Sequence, residues 1–260
     1  MLCAEPTCLP KGDGKMPTMN VSAPARDKLI VALDAPSLDE ARTWLESLQG
    51  VVSFYKVGLE LFTAFGWRAV DLVQKFGGKV FLDLKLHDIP NTVSRTLRSV
   101  CEHGVDIVNL HALGGYEMMS KAGEAVQAFS AGTGKRPRLI AVTVLTSHSQ
   151  EMISKEIGIK RKIRDEVLHL AKLARKAGLD GIVCSPQETS MIRREFGKDF
   201  LIVTPGVRPA GSSAGDQQRI ETPEKAVKAG ADHIVVGRPI TQAADPRQAA
   251  ADILAAISSL

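Results

Sequence analysis

Aromatic residues are scarce in this 260-residue chain, at 5%, and there are only four cysteines. The 33 basic and 29 acidic residues nearly cancel, leaving a net charge of +4. No dense Lys/Arg stripe with interleaved aromatics appears, which argues against a nucleic-acid groove. No apolar run approaches the roughly 20 residues that a helix needs to span a bilayer, and the N-terminus has no hydrophobic signal core. Cys3 and Cys8 could in principle pair or bind metal, but no His or further Cys stands near them at zinc-site spacing. Cys101 falls in an amphipathic helix pattern and Cys184 in an apolar strand pattern, so both read as small buried hydrophobes. Together these absences predict a reduced, cytoplasmic protein that binds neither membrane nor nucleic acid.

What is present is a chain with 44% apolar residues, enough for one large core. Residues 1–26 show no periodicity and read as a disordered extension outside the fold. From Asp27 onward, short apolar runs alternate with amphipathic stretches. The expected strands are Leu29–Asp34, Phe54–Leu59, Lys79–Leu86, Asp106–Leu113, Arg138–Leu145, Gly181–Ser185, Phe200–Gly206 and His233–Arg238. Ser37-Leu38-Asp39-Glu40 reads as a capping box that starts a helix. Three helix exits share one pattern, a glycine followed by a hydrophobic residue and an aspartate: Gly104-Val105-Asp106, Gly178-Leu179-Asp180 and Gly230-Ala231-Asp232. Eight strands in such repeated units predict a closed (β/α)8 TIM barrel over residues 27–260. An open dinucleotide-binding sheet would carry GxGxxG after its first strand; Asp34-Ala35-Pro36-Ser37 stands there instead.

Barrel active sites lie at the C-terminal ends of the strands, and charge collects there. Asp34 ends the first strand, Lys56 lies in the second, Asp83 and Lys85 lie in the third, and Asp88 follows it. Period two puts Asp83 and Lys85 on one face and Leu82, Leu84 and Leu86 on the other. Desolvating such charges costs several kcal/mol unless they are paired. A structural ion pair is the plain alternative, but four charged groups at successive strand ends are more typical of a catalytic site. A lysine between carboxylates stays protonated, so Lys85 reads as a proton donor and carbanion stabiliser rather than a Schiff-base nucleophile. Asp83 and Asp88 would repel a substrate carboxylate by about 4 kcal/mol at about 4 Å and an effective dielectric near 20. Loss of that carboxylate as carbon dioxide would relieve the repulsion.

Strands seven and eight supply the anion end, where barrels frequently bind phosphate. Thr204-Pro205-Gly206-Val207-Arg208 and Val236-Gly237-Arg238-Pro239 end them. Gly237 allows close backbone approach to an oxygen, and Arg238 offers a forked guanidinium. The small, polar stretch 209–219 between them reads as a closing lid.

The run Phe81-Leu82-Asp83-Leu84-Lys85-Leu86-His87-Asp88-Ile89-Pro90-Asn91-Thr92 resembles the signature of the orotidine 5′-phosphate decarboxylase family. Matches continue in order from about Asp27 to the C-terminus and are closest to the bacterial form. They include Tyr55-Lys56-Val57-Gly58, His111-Ala112-Leu113-Gly114-Gly115 and Val142-Thr143-Val144-Leu145-Thr146-Ser147. The resemblance implies cofactor-free decarboxylation of orotidine 5′-phosphate to uridine 5′-phosphate in pyrimidine synthesis, with no metal. It implies that Lys85 protonates C6 and that Asp83 stands beside the carboxylate. Asp34 and Lys56 would contact the ribose, Thr146 the pyrimidine, and Pro205 the carboxylate pocket. Arg208, Gln217, Gly237 and Arg238 would hold the phosphate. Asp88, Ile89 and Thr92 would serve the neighbouring subunit's ligand in a homodimer with shared sites. His87 and His111 would play supporting parts. A metal-dependent keto-sugar phosphate decarboxylase or synthase of the same barrel superfamily is the rival reading, with Glu60 as its candidate metal-binding acid.

Overall fold

The computed structural model describes residues 23–209, 219, 221–258 and 260. In chain order its elements are α1 (Ala23–Lys28), β1 (Leu29–Ala32), α2 (Leu38–Leu48), β2 (Phe54–Gly58), α3 (Leu59–Phe65), α4 (Trp67–Lys75), β3 (Lys79–Leu86), α5 (Pro90–Glu102), β4 (Ile107–His111), α6 (Gly115–Thr133) and β5 (Arg138–Val142). There follow α7 (Ile163–Lys176), β6 (Gly181–Val183), α8 (Pro186–Phe196), β7 (Leu201–Thr204), α9 (Pro223–Lys228), β8 (His233–Val236), α10 (Arg238–Thr241) and α11 (Pro246–Ser258). The strands are parallel and close in sequence order, β8 pairing with β1. This is the expected (β/α)8 barrel.

Alternation along each strand builds two cores. Ile30, Ala32, Phe54, Phe81, Ile107, Ile140, Val203 and Val235 point inward and fill the barrel. Their neighbours Val31, Tyr55, Val80, Leu82, Val108 and Val236 point outward and pack under the helices. A fully buried side chain such as Leu82 contributes about 1.5–3 kcal/mol through removal of apolar surface from water.

The repeated Gly-x-Asp exits have a physical reason. Gly104, Gly178 and Gly230 adopt φ of 65°, 79° and 105° just past the ends of α5, α7 and α9. That left-handed turn stops each helix and favours glycine. Two residues on, each aspartate accepts a backbone N–H of the strand that precedes it in the barrel: Asp106 from Val80 at 2.8 Å, Asp180 from Leu139 at 2.8 Å, and Asp232 from Ile202 at 2.7 Å. The motif ties adjacent strands together at the N-terminal end of the barrel.

Several expectations shift. Seven of the eight strands stop one to three residues before their expected C-terminal ends, because those residues leave the ladder to form the barrel mouth. β3 alone runs to its expected end at Leu86. At α2 one arm of the capping box is present, Ser37 Oγ accepting Glu40 N–H at 3.1 Å; Glu40 is exposed. The complete box stands at α8, where Ser185 and Glu188 bond reciprocally. Residues 1–22 lie outside the described residues, and Arg26, expected to close the N-terminal extension, lies within α1. Cys101 and Cys184 are buried, and burial pushes the Cys184 thiol up to about 12, as befits core residues.

Candidate active site

Four charged side chains, from β2, β3 and the loop after β1, meet at the mouth. The Lys56 ammonium, from β2, lies 3.0 Å from Asp34 Oδ1 and 3.3 Å from Asp83 Oδ2. The Lys85 ammonium lies 2.8 Å from Asp83 Oδ1. Asp83 therefore sits between two cations, and its side chain is only 10% exposed. Burial alone would raise its pKa. The charges of Lys56 and Lys85, with hydrogen bonds from Lys85 and Asn109, outweigh that effect and hold it down at about 2. For Lys56, burial favours the neutral amine, but Asp83 and Asp34 overcome it and hold the pKa above the ordinary value. Asp83 and Lys56 are therefore both ionised at neutral pH.

Local sequence makes room for the array. A Cβ on Gly58 would lie 2.6 Å from Lys56 Nζ and 3.2 Å from Asp34 Oδ1. A side chain there would push the Lys56 ammonium from its place beside Asp34. The signal was present as Lys56-Val57-Gly58, lysine and glycine on one face of one strand, but sequence reasoning passed over it.

β3 departs from regular pairing at Lys85. It pairs with β4 at Leu82↔Val108 and next at Leu86↔Leu110, so Asp83, Leu84 and Lys85 stand opposite Asn109 alone. Lys85 adopts φ 51°, a left-handed conformation that costs a non-glycine residue about 1–3 kcal/mol. Its N–H is taken by Asn109 Oδ1 at 2.8 Å, and Asn109 Nδ2 donates to Asp83 Oδ1 at 2.6 Å. Asn109, 1% exposed, was not singled out from the sequence.

A cavity of about 530 Å3 opens above this array. The structure brings Asp34, Lys56, Asp83, Lys85 and Thr146 to its wall, together with Pro205, Arg208, Gly237 and Arg238. Ile89, Asp88 and Thr92 do not line it; all three are exposed. Asp88 Oδ1 accepts the N–H of Ile89 at 2.7 Å, and Ile89 is 67% exposed. Gln217 lies outside the described residues, as does most of the expected lid. The last lid position is corrected: Arg219 is a buried anchor, 7% exposed, with Nη1 2.6 Å from Glu188 Oε1 and Nη2 donating to the carbonyls of Val144 and Leu145. Those bonds fix the backbone just before Thr146. The only sequence signal was an arginine closing a run of small polar residues.

The rings of His111 and His87 stand 5.5 Å apart. Burial first, then the nearby His87 and Lys85, holds the His111 pKa below the ordinary value, so it is a neutral imidazole near pH 7. Glu60 lines the cavity. Among the described residues no group of three His, Cys, Asp or Glu side chains is disposed to hold a metal ion.

Fold and site together define a class: a β/α-barrel enzyme with a lysine–aspartate–lysine array and two arginines lining one cavity at its mouth. Residues 27–253 match the profile of the orotidine 5′-phosphate decarboxylase / HUMPS family. The chain is 52% identical over 233 residues to orotidine 5′-phosphate decarboxylase of Geobacter metallireducens, covering 90% of this chain and 97% of that one. It is 50% identical over 234 residues to the enzyme of that name from Moorella thermoacetica, covering 90% and 93%. A crystal structure of orotidine 5′-phosphate decarboxylase from Lactobacillus acidophilus superposes with a TM-score of 0.78 at 38% identity, covering 89% of this chain and 99% of that one. The chain belongs to the orotidine 5′-phosphate decarboxylase / HUMPS family.

Proposed function

We propose that this chain converts orotidine 5′-phosphate to uridine 5′-phosphate and carbon dioxide in pyrimidine biosynthesis, using no cofactor. One observation carries the reading: an ammonium group, Lys85, is held 2.8 Å from a buried, ionised Asp83 on the wall of a nucleotide-sized cavity. Arg208 and Arg238, with the backbone at Gly237, line the same cavity and receive the phosphate. Pro205 borders the carboxylate pocket and Thr146 meets the pyrimidine. Gln217 completes the phosphate set from the lid. Asp34 and Lys56 bind the ribose hydroxyls, as their mutual ion pair at the cavity rim permits.

Chemistry then follows from charge. The substrate carboxylate rests against Asp83, whose low pKa keeps it negative, and like charges repel in a site of low dielectric. The bond between C6 and the carboxylate breaks, its electron pair stays on C6, and carbon dioxide leaves. Lys85 stabilises the growing negative charge and passes its proton to C6. Solvent then restores the ammonium.

We also propose a cytoplasmic homodimer in which Asp88, Ile89 and Thr92 reach the neighbouring subunit's ligand. Their exposure and their position outside the chain's own cavity support this.

The test is loss of orotidine 5′-phosphate absorbance in excess EDTA, with the active species sized by light scattering. Full turnover by a dimer is expected. Activity that appears only when magnesium is added overturns the reading in favour of the metal-dependent sister reaction. A fully active monomer overturns the shared site.

A further inference from the structure

The amide of Asn109 occupies a place that neither strand alone could fill. Three residues of β3, Asp83 to Lys85, face this one residue of β4. A ladder with two extra residues on one side leaves backbone donors without partners, and an unpaired buried N–H costs as much as a lost hydrogen bond. The Asn109 side chain answers both sides of the gap. Its oxygen accepts Lys85 N–H at 2.8 Å and its nitrogen donates to Asp83 Oδ1 at 2.6 Å. The orientation of the amide is fixed by its neighbours, because an N–H must meet the oxygen and a carboxylate must meet the nitrogen. The carboxylate oxygen it holds is the same one that takes the Lys85 ammonium.

We infer that Asn109 is a positioning residue for the proton donor, clamping the backbone of Lys85 in its left-handed turn and the carboxylate of Asp83 at a fixed angle to the Lys85 ammonium. The inference rests on the decarboxylase reading and names a further member of that site. A neutral donor suits the task. It orients the anion without adding a charge to an array in which lysine and aspartate already balance. Misplacing a reacting group by about 1 Å can cost about a hundredfold in rate, so the clamp acts on turnover rather than on nucleotide affinity. Asn109 itself does not line the cavity.

Two variants separate this from a role in folding alone. Asn109→Leu keeps the branched four-atom side chain and removes both bonds. Asn109→Asp keeps the shape. When neutral, its carboxyl donates O–H to Asp83 and accepts from Lys85 N–H, reproducing both contacts; when ionised, it faces Asp83 as a like charge. Burial and Asp83 raise the pKa of the new group and the ammonium of Lys85 lowers it, so the two carboxyls titrate as a pair. The charged and titratable groups around the position are Asp83 and Lys85 on β3, Lys56 on β2 across Asp83, and His111 on β4 with His87 and His148 near it. All are shared with the wild type, so the ratio of variant to wild-type rates isolates position 109.

Turnover and KM for orotidine 5′-phosphate are measured from pH 5 to 9, together with Kd for uridine 5′-phosphate. The expected result for Asn109→Leu is a kcat at least 100-fold lower with Kd within threefold of wild type. For Asn109→Asp the ratio of kcat to wild type falls at least tenfold between pH 5 and pH 8. A kcat for Asn109→Leu within threefold of wild type, or equal losses in kcat and in affinity, overturns the inference. A pH-independent loss in Asn109→Asp also overturns it, and that variant alone decides should Asn109→Leu not fold. An inactive wild-type chain would instead overturn the decarboxylase reading and this inference with it, whereas an active wild type with unaffected variants overturns only the inference.

Discussion

The two ends of the barrel hold charge in opposite ways. At the N-terminal end, Asp180 accepts a strand N–H from Leu139 and is gripped by both Nη atoms of Arg136 at 2.6 and 2.7 Å. Asp232 similarly takes the N–H of Ile202 and an Arg193 Nη2 at 2.6 Å. Asp180 and Asp232 each have a backbone donor and a guanidinium, and the glycine turns beside them accommodate positive φ without strain. At the mouth, Asp83 takes no strand N–H but two ammonium groups and an amide, and a lysine is held at positive φ. The first arrangement spends charge on holding strands together. The second keeps charge pointed at a cavity and tolerates strain to do so, which is the usual signature of a functional site.

The comparison can be broken from either end. The largest effect belongs to Lys85→Ala. Loss of the proton donor and of carbanion stabilisation should lower kcat by at least about 1000-fold, while uridine 5′-phosphate still binds and the thermal midpoint changes little. Steady-state kinetics and calorimetry check this, and substantial turnover would place the proton donor elsewhere. At the opposite end, Asp180→Asn should leave kcat unchanged and lower stability by about 2–3 kcal/mol. For a chain of this size that is a midpoint drop of roughly 5–10 °C, readable by thermal melting. The smallest effect concerns acid. Because the folded pKa of Asp83 is about 2, below the ordinary 3.8, its stabilisation is present above about pH 4 and is lost as the pH falls toward 2. Wild type should therefore exceed Asp83→Asn in stability at pH 7, with the gap closing between pH 4 and 2 in denaturant titrations. A gap that stays constant would mean that the two lysines do not stabilise the anion.

Much of this architecture was legible because it is periodic or chemically anomalous. Alternating apolar runs marked all eight strands, and the three Gly-x-Asp exits marked the repeated unit. Asp83 and Lys85 stood out because charges are costly in an apolar strand. Asn109 escaped notice for the opposite reason. In Ile107-Val108-Asn109-Leu110-His111 a lone amide disturbs the pattern little, and its importance lies in a bulge on the neighbouring strand that spacing cannot show. Arg219 was hidden in the polar stretch it terminates, since burial against Glu188 is a tertiary fact. Strand ends ran too long because periodicity does not mark where a ladder gives way to a loop. Ile89 and Thr92 entered the site only through resemblance, Asp88 through its place after the third strand as well, and a single chain places all three outside its own cavity.

The central claim concerns where one amine points. A crystal structure with uridine 5′-phosphate bound measures it directly. The account predicts Lys85 Nζ within about 3.5 Å of the pyrimidine C6, with the phosphate on Arg238. A nucleotide seated elsewhere, or an amine turned away from C6 with the ring in this cavity, would contradict it.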